Sequence, residues 1–192
     1  INMSNKELSE FNRVVITACG TSLHAALVGE FLIEKFANIP VEVEYAAEFR
    51  YRNPIIDSKT LIIAISQSGE TADTIAAIKE AKSKGAKVLS ICNVMNSTIA
   101  RESNGVLYTR AGVEIGVAST KAFTTQIALI YLLSIYLGQV RYTLSSEEVK
   151  KLLKELEALP KKIEKIFKFD HRIINISKKY FTTKNFLYLG RG

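Results

Sequence analysis

The chain of 192 residues is long enough for one ordinary domain with a good core and some appended structure. Its 47% hydrophobic and 23% charged residues are typical of a folded globular protein and exclude intrinsic disorder. The net charge of +7 invites a nucleic-acid or acidic-membrane interpretation. However, the excess of lysine and arginine lies largely in the C-terminal third of the chain. Acidic and basic residues alternate there, which favours a solvated helix face. We therefore expect no nucleic acid and no membrane as partners.

The elements predicted from apolar periodicity alternate between strands and helices. The chain begins with a short helix "NKELSEFNR", an apolar strand "VVITACGTS" (14–22) that ends in a Gly turn, and a helix with Leu23, Leu27, Phe31 and Ile33 that stops before Pro40. An alternating edge strand "VEVEY" (41–45), a wholly apolar central strand "TLIIAIS" (60–66) and a helix with Ile75, Ile78 and Ala81 that ends at Gly85 follow. The last elements are the strand "KVLSIC", the strand "GVLYTR" (105–110) and a long apolar helix from near Ser119 to Gly138. This alternation indicates βαβ crossovers, and hence a mostly parallel sheet with helices on both faces.

From Arg141 the pattern contains no strand signal and predicts helices that are bent or broken at Pro160. The sequence thus predicts an α/β domain over residues 1–140, a helical linker over 141–185, and the first strand of a second, truncated α/β unit over 186–192. That last segment, "FLYLGRG", repeats the form of "VVITACGT". It would normally lead into a helix, and the chain begins at Ile1, so we expect a piece of a larger protein.

Cys19 and Cys92 lie far apart, and His24 and His171 are the only histidines, so the sequence resembles neither a disulfide scaffold nor a zinc site. We expect reduced thiols, a cytoplasmic protein, and no metal or cofactor. The longest apolar stretch, residues 127–138, is shorter than the roughly 20 residues that span a bilayer, which predicts a buried helix.

Three loops rich in small hydroxyl residues fall at strand ends or helix starts: "CGTS" (19–22), "SQSGET" (66–71) and "VAST" (117–120). The carboxyl ends of parallel strands share one sheet edge, where helix N-termini favour a phosphate. Each loop taken alone is explained as well by ordinary N-capping, and Glu70 and Asp73 would repel an anion if they pointed at it. Because three such loops share one edge, we expect an anionic-ligand site.

The nature of the anion is indicated by what the loops lack and by what they carry. Neither nucleotide-binding glycine motif is present, and the polar Gln67 between the hydroxyls suits a polyhydroxylated ligand, so a sugar phosphate is the best chemical hypothesis. Four other residues are weaker candidates for a functional role. His24 is expected in the core, Cys19 has no base beside it, Lys121 suits either a ligand contact or an ion pair, and Glu114 is expected to fix its loop.

The motifs "ACGTS", "SQSGETADT", "ICNV" and "RESNGVLYTRAGVEIGVASTKAFTTQ" together resemble the sugar isomerase (SIS) domain family. "EFRYRNP" and "EIGVASTKAFTTQ" in the same order narrow the resemblance to the first of two SIS domains in glutamine–fructose-6-phosphate aminotransferases, over about residues 14–138. "FLYLGRG" resembles the opening strand of the second. The resemblance implies a three-layer αβα sandwich with a five-stranded, mostly parallel sheet, here followed by a C-terminal helical extension.

The resemblance also implies the roles of the loop residues. The phosphate would be held by Ser66, Ser68 and Thr71, with Thr21 and Ser22 close by. Gln67 would bind a sugar oxygen, and Val117 and Ser119 would contact the sugar hydroxyls.

By the same resemblance, the complete enzyme is a transferase that makes glucosamine 6-phosphate from fructose 6-phosphate and glutamine in hexosamine biosynthesis. Its glutaminase domain, and the catalytic glutamate, histidine and lysine of the second SIS domain and tail, are not in this sequence. The resemblance therefore implies no catalytic residue here, and we expect binding without turnover. Because the histidine comes from a partner subunit, the family also implies a homodimer.

Two other functions compete with this interpretation. SIS domains also occur in non-catalytic sugar-phosphate sensors and regulators, although these normally carry a DNA-binding or inhibitor-interaction segment. A nucleic-acid binder driven by the +7 charge would bind in a strongly salt-dependent manner.

Overall fold

A computed structural model describes residues 1–190, which contain one five-stranded sheet and nine helices. The strands are β1 (Arg13–Ala18), β2 (Val41–Tyr45), β3 (Thr60–Ser66), β4 (Lys87–Cys92) and β5 (Gly105–Tyr108). The helices are α1 (Asn5–Glu10), α2 (Thr21–Ala37), α3 (Ala46–Tyr51), α4 (Ala72–Ser83), α5 (Thr98–Glu102), α6 (Lys121–Val140), α7 (Ser146–Glu157), α8 (Leu159–Phe167) and α9 (Asp170–Tyr180). The chain divides into two units, residues 1–149 and residues from 150 onward.

The sheet has the strand order β2-β1-β3-β4-β5, and every neighbouring pair of strands is parallel. All seven residues of β3 are buried because this strand lies at the centre of the sheet with helices on both faces. The alternating β2 lies at an edge, as its pattern of valine and glutamate predicts. The predicted α/β sandwich with a five-stranded parallel sheet is therefore confirmed.

Two apolar clusters cover the two faces of the sheet, since successive side chains of a strand point to opposite sides. Ile63 of β3 belongs to the cluster that contains residues of α2 and α6. Its neighbour Ile62 belongs to the cluster that contains residues of α3 and α4. The sheet and its two layers of helices hold the ends of β1 and β3 in fixed register, with Ala18 paired to Ile65.

Helix α6 packs closely against α2 at Gly29, where an added Cβ would lie 2.8 Å from Ile130 Cγ2. By length and composition alone, this 20-residue helix could cross a membrane. However, Ile130, Leu133 and Leu137 belong to the buried cluster on one face of the sheet. The prediction of a buried apolar helix is confirmed for the side of α6 that faces the sheet. The helix begins at Lys121 and extends beyond Gly138 to Val140.

The predicted apolar face of α2 is partly wrong. Leu23 and Ile33 are buried, but Leu27 and Phe31 are 42% and 72% exposed. The face of α2 that packs combines Leu23, Ile33 and Phe36 with small residues, which let the neighbouring layer approach closely. His24, expected in the core, is exposed.

Some element boundaries also differ from those predicted. The strand predicted to reach Arg110 ends at Tyr108, and the short helices α3 and α5 were not predicted, because they contain only six and five residues and show too little periodicity.

The second unit consists of the end of α7, helices α8 and α9, and a short tail. Pro160 lies in the first turn of α8, so the predicted break falls just before it, at Ala158. No residue of 150–190 is buried. Residues 184–190 form neither helix nor strand, and residues 191–192 of the predicted strand lie outside the described part of the chain. The predicted domain limits at 140 and 185 stay predictions.

Candidate functional site

A cavity of about 200 Å³ lies at the carboxyl ends of β1 and β3, where the three hydroxyl-rich loops meet. All eight residues predicted to contact a ligand line it: Thr21, Ser22, Ser66, Gln67, Ser68, Thr71, Val117 and Ser119. Open parallel sheets bind ligands at this edge. The structure thus brings the predicted residues together, and their role in binding stays a prediction.

The loop 66–71 is held in a tight turn by its own serines. Ser66 Oγ accepts a hydrogen bond from Gly69 N at 3.0 Å and lies 3.0 Å from Thr71 Oγ1. Ser68 Oγ accepts one from Glu70 N at 3.2 Å. These contacts turn the loop so that both serines and Thr71 line the cavity.

Gly69 is required at the centre of this turn for two reasons. Its φ of +68° is in the left-handed region, where residues with a Cβ are strained. A Cβ at this position would also lie 2.0 Å from Ser97 Oγ and 2.4 Å from Ser97 Cβ. The loop therefore sits directly on the start of α5, and Gly69 O accepts a hydrogen bond from Ile99 N at 3.0 Å.

Glu70, which would repel an anion if it faced the cavity, binds the start of α5 instead. Its Oε1 accepts a hydrogen bond from Thr98 N at 2.7 Å, and it does not line the cavity. Hydrogen bonds from Thr98, together with the charge of Arg101, lower the pKa of Glu70. The acid therefore fixes the loop and leaves the cavity to the hydroxyl groups.

The other two loops are joined to each other and to α6. Thr21 Oγ1 lies 3.1 Å from Ser119 Oγ, which connects residues 98 positions apart in the chain. Ser22 is buried, and its Oγ accepts a hydrogen bond from the buried Gln126 Nε2 at 3.0 Å. This bond leaves the Ser22 hydroxyl hydrogen free to point toward a ligand.

Helices α2, α4 and α6 all begin at the cavity, and their N-caps bear on the two interpretations of the loops. The caps are Gly20, Thr71 and Thr120; glycine has no side chain to cap with, and neither threonine makes a side-chain capping bond within the described residues. The hydroxyls of Thr71 and Thr120 are therefore not explained as N-cap acceptors. Three helix N-termini at one cavity favour an anion there.

The charge of the lining is the second electrostatic feature of the site. Among residues 1–190, no lysine or arginine lines the cavity, and Glu114 is the one charged side chain that does. An anion would therefore be held by hydroxyl, amide and backbone N–H donors and by the helix dipoles. The arrangement can bind and orient a phosphorylated, hydroxyl-rich ligand.

Of the four weaker candidates from the sequence, two line the cavity and two do not. Cys19 lines the cavity as a free thiol. His24 does not line it, and Lys121 forms no ion pair among residues 1–190. Glu114 Oε2 accepts a hydrogen bond from Ala122 N at 2.8 Å, and its expected role in fixing the loop stays a prediction. The described residues contain no cluster of three or more metal-ligating side chains.

Sequence reasoning missed two supporting residues, Asn93 and Gln126. Asn93 Oδ1 accepts hydrogen bonds from Thr109 Oγ1 at 3.0 Å and Ala111 N at 2.8 Å, which anchors the loop after β5. Gln126 stands in the apolar helix α6, but Gln139 of the same helix gives the same signal. Asn93 lies in the motif "ICNV", but the motif does not show its partners, which are 16 and 18 residues away.

Comparison with known proteins agrees with this geometry. The SIS domain family model matches residues 7–136. The glutamine–fructose-6-phosphate aminotransferase (isomerizing) of Clostridium tetani is 50% identical over 192 residues, covering 100% of this chain and 32% of that protein. Its counterpart from Chlorobaculum tepidum is 55% identical over 185 residues, covering 96% of this chain and 30% of that protein.

A solved structure gives the same result. The C-terminal domain of glucosamine-fructose-6-phosphate aminotransferase from Francisella tularensis superposes with a TM-score of 0.93 at 37% identity, covering 98% of this chain and 53% of that one. The chain spans about a third of the length of the curated relatives it matches. The resemblance found in the motifs is confirmed, and the chain belongs to the SIS domain family.

Proposed function

We propose that the cavity binds fructose 6-phosphate or glucosamine 6-phosphate, as the substrate-holding half of a sugar-phosphate isomerase site. The observation that carries this proposal is the convergence of hydroxyl and amide side chains from three loops on one cavity at which three helices begin. Such a lining suits a phosphate held at helix N-termini together with a sugar that offers several hydroxyls.

The proposed roles are those that the family resemblance implies, and all the residues concerned line the cavity. Ser66, Ser68 and Thr71 lie between the end of β3 and the start of α4 and hold the phosphate, with Thr21 and Ser22 at the start of α2 beside it. Gln67 binds a sugar oxygen. Val117 and Ser119 contact the sugar hydroxyls from the third loop.

For the longer protein, we infer a transferase that makes glucosamine 6-phosphate from fructose 6-phosphate and glutamine. Support comes from the names of relatives that this chain matches over its whole length while covering only 30–32% of theirs. The chain then works with a glutaminase domain and a second SIS domain, in a homodimer. The two free cysteines support a cytoplasmic location.

Calorimetric titration of the chain with fructose 6-phosphate and with glucosamine 6-phosphate tests the ligand. We expect Ser68→Ala to weaken binding about tenfold, because a hydrogen bond to a charged group is lost. The matched control is Ser83→Ala at the exposed end of α4, whose hydroxyl bonds only Glu80 O, at 2.7 Å. Unphosphorylated fructose should bind much more weakly than its phosphate.

Binding that survives Ser68→Ala unchanged, or fructose that binds as well as its phosphate, would contradict the site. An isomerisation assay checks the second half of the proposal. We expect no conversion of fructose 6-phosphate above background, because the proton-transferring groups are assigned to other parts of the longer protein. Measurable turnover by this chain alone would overturn that assignment.

A further inference from the structure

We propose that Glu114 is a positioning residue, which ties the exposed segment 109–120 (the β5–α6 loop) to the first turn of α6 and so holds Val117 and Ser119 at the cavity. For the ligand this inference rests on the proposed function. The tie itself can be tested without a ligand.

Apolar burial does not hold the β5–α6 loop in place. Its largest apolar side chains, Val113, Ile115 and Val117, are 76%, 92% and 104% exposed. The loop contains no helix or strand between Tyr108 and Lys121. Its conformation therefore depends on a small number of polar contacts.

Those contacts fall at three points along the loop. Near its start, Asn93 accepts a hydrogen bond from Ala111 N and donates one from Nδ2 to Gly112 O at 2.7 Å. Near its end, Ser119 Oγ lies 3.1 Å from Thr21 Oγ1. Between them, Glu114 is the only loop residue of the described chain whose side chain accepts from the backbone of α6.

The contact of Glu114 supplies what the helix start lacks. Thr120, the N-cap of α6, makes no side-chain capping bond within the described residues, so the first N–H groups of a 20-residue helix need another acceptor. Glu114 Oε2 accepts from Ala122 N at 2.8 Å, across eight residues of chain. A carboxylate is well suited to this place because the helix dipole is positive there.

This bond closes residues 115–121 into a short loop, and Gly116, Val117 and Ser119 of that loop line the cavity. Glu114 also lines the cavity with its charge, and the competing role is a direct action of this charge on the ligand. The two roles separate in Glu114→Gln, which keeps an acceptor oxygen but removes the charge. Glu114→Ala removes both.

Limited trypsin digestion without ligand tests the tie. Cleavage at the Lys121–Ala122 bond, whose N–H donates to Glu114, reports by mass spectrometry how often this contact opens. We expect about tenfold faster cleavage in Glu114→Ala, which loses the charged hydrogen bond, and about threefold faster cleavage in Glu114→Gln, which keeps a weaker neutral acceptor. The control is Glu147→Ala, an exposed acid in the first turn of α7. Unchanged cleavage in Glu114→Ala would overturn the proposal.

Titration with fructose 6-phosphate tests the consequence for the site. Positioning predicts about tenfold weaker binding in Glu114→Ala, near-normal binding in Glu114→Gln, and similar melting temperatures for both. Equal weakening in the two variants, or tighter binding in Glu114→Gln, would show that the charge acts and would overturn the positioning role. Loss of the folded state in Glu114→Ala would overturn it too. If the unmodified chain binds no sugar phosphate, the proposed function fails, while the digestion still decides the tie.

Discussion

Residues 1–149 and residues 150–190 both contain amphipathic helices, and they differ in where the apolar side chains of those helices lie. In the first unit, Ile130 and Leu133 of α6 are 1% and 2% exposed and belong to the cluster on one face of the sheet. In the second, Ile163, Ile166 and Ile173 are 41%, 56% and 56% exposed. A helix shows the same apolar periodicity in both cases, and only the sheet gives it something to pack against.

The two units also differ in charge. Residues 1–149 carry 14 lysines and arginines against 15 aspartates and glutamates, whereas residues 150–192 carry 12 against 4. The net charge of +7 therefore belongs to the second unit, and the cavity lies in a unit that is nearly neutral. The overall charge thus says little about the ligand, and the local arrangement of helix N-termini and hydroxyls says more.

The largest expected difference between the units is in stability. Ile63→Ala in β3 should lower the free energy of unfolding by about 2–5 kcal/mol, because it leaves a cavity in the centre of the core. Ile173→Ala in α9 should change it by less than about 0.5 kcal/mol, since the side chain is already half exposed. Urea unfolding of both variants measures the difference. A loss of unfolding free energy in Ile173→Ala as large as in Ile63→Ala would show that α9 is packed in solution, and it would contradict the difference drawn between the two units.

A second pair of variants asks how firmly the candidate site is built into the first unit. Gly69→Ala should cost about 2–4 kcal/mol, from a left-handed backbone and from collision with Ser97. Gly85→Ala is the matched control, because its φ of +83° is similar but nothing lies within 4 Å of the added Cβ. It should cost only the backbone strain, about 1 kcal/mol. Thermal unfolding of the two variants compares them, and equal costs would mean that the loop 66–71 yields easily.

The smallest expected difference appears in acid. The hydrogen bond from Lys87, with those from Ser4, lowers the pKa of Glu7 from 4.5 to about 2. Because the folded pKa is the lower one, this carboxylate stabilises the fold above pH 4.5, and the contribution is lost as the pH falls from about 4.5 to about 2. Glu7→Gln should therefore slightly lower the melting temperature at neutral pH and flatten its fall in that range.

Glu155→Gln is the counterpart in the second unit. Its hydrogen bond with Lys162 lowers the pKa of Glu155, but both partners lie within residues 150–190. The melting temperature of the first unit should then keep its dependence on pH. Melting curves between pH 2 and pH 7 record both variants, and an equal response to the two substitutions would contradict the assignment of this pH dependence to Glu7.

Much of the fold and the location of the site could be predicted from the sequence. The apolar runs of β1 and β3, each followed by a predicted helix, indicate parallel strands, and parallel strands bring their carboxyl ends to one edge. The loops 19–22, 66–71 and 117–120 therefore had to share that edge. Each of these features depends on residues close together in the chain.

Only the tertiary structure decided which way the side chains at that edge point. Glu70 turns to α5, Ser22 is held by Gln126, and Glu114 reaches the first turn of α6. The exposure of Phe31 on α2 and of Ile173 on α9 was equally invisible, because periodicity shows that a helix has an apolar face and not whether another element covers it. Contacts between residues distant in sequence determine these side-chain directions and exposures. Local sequence patterns do not show such contacts.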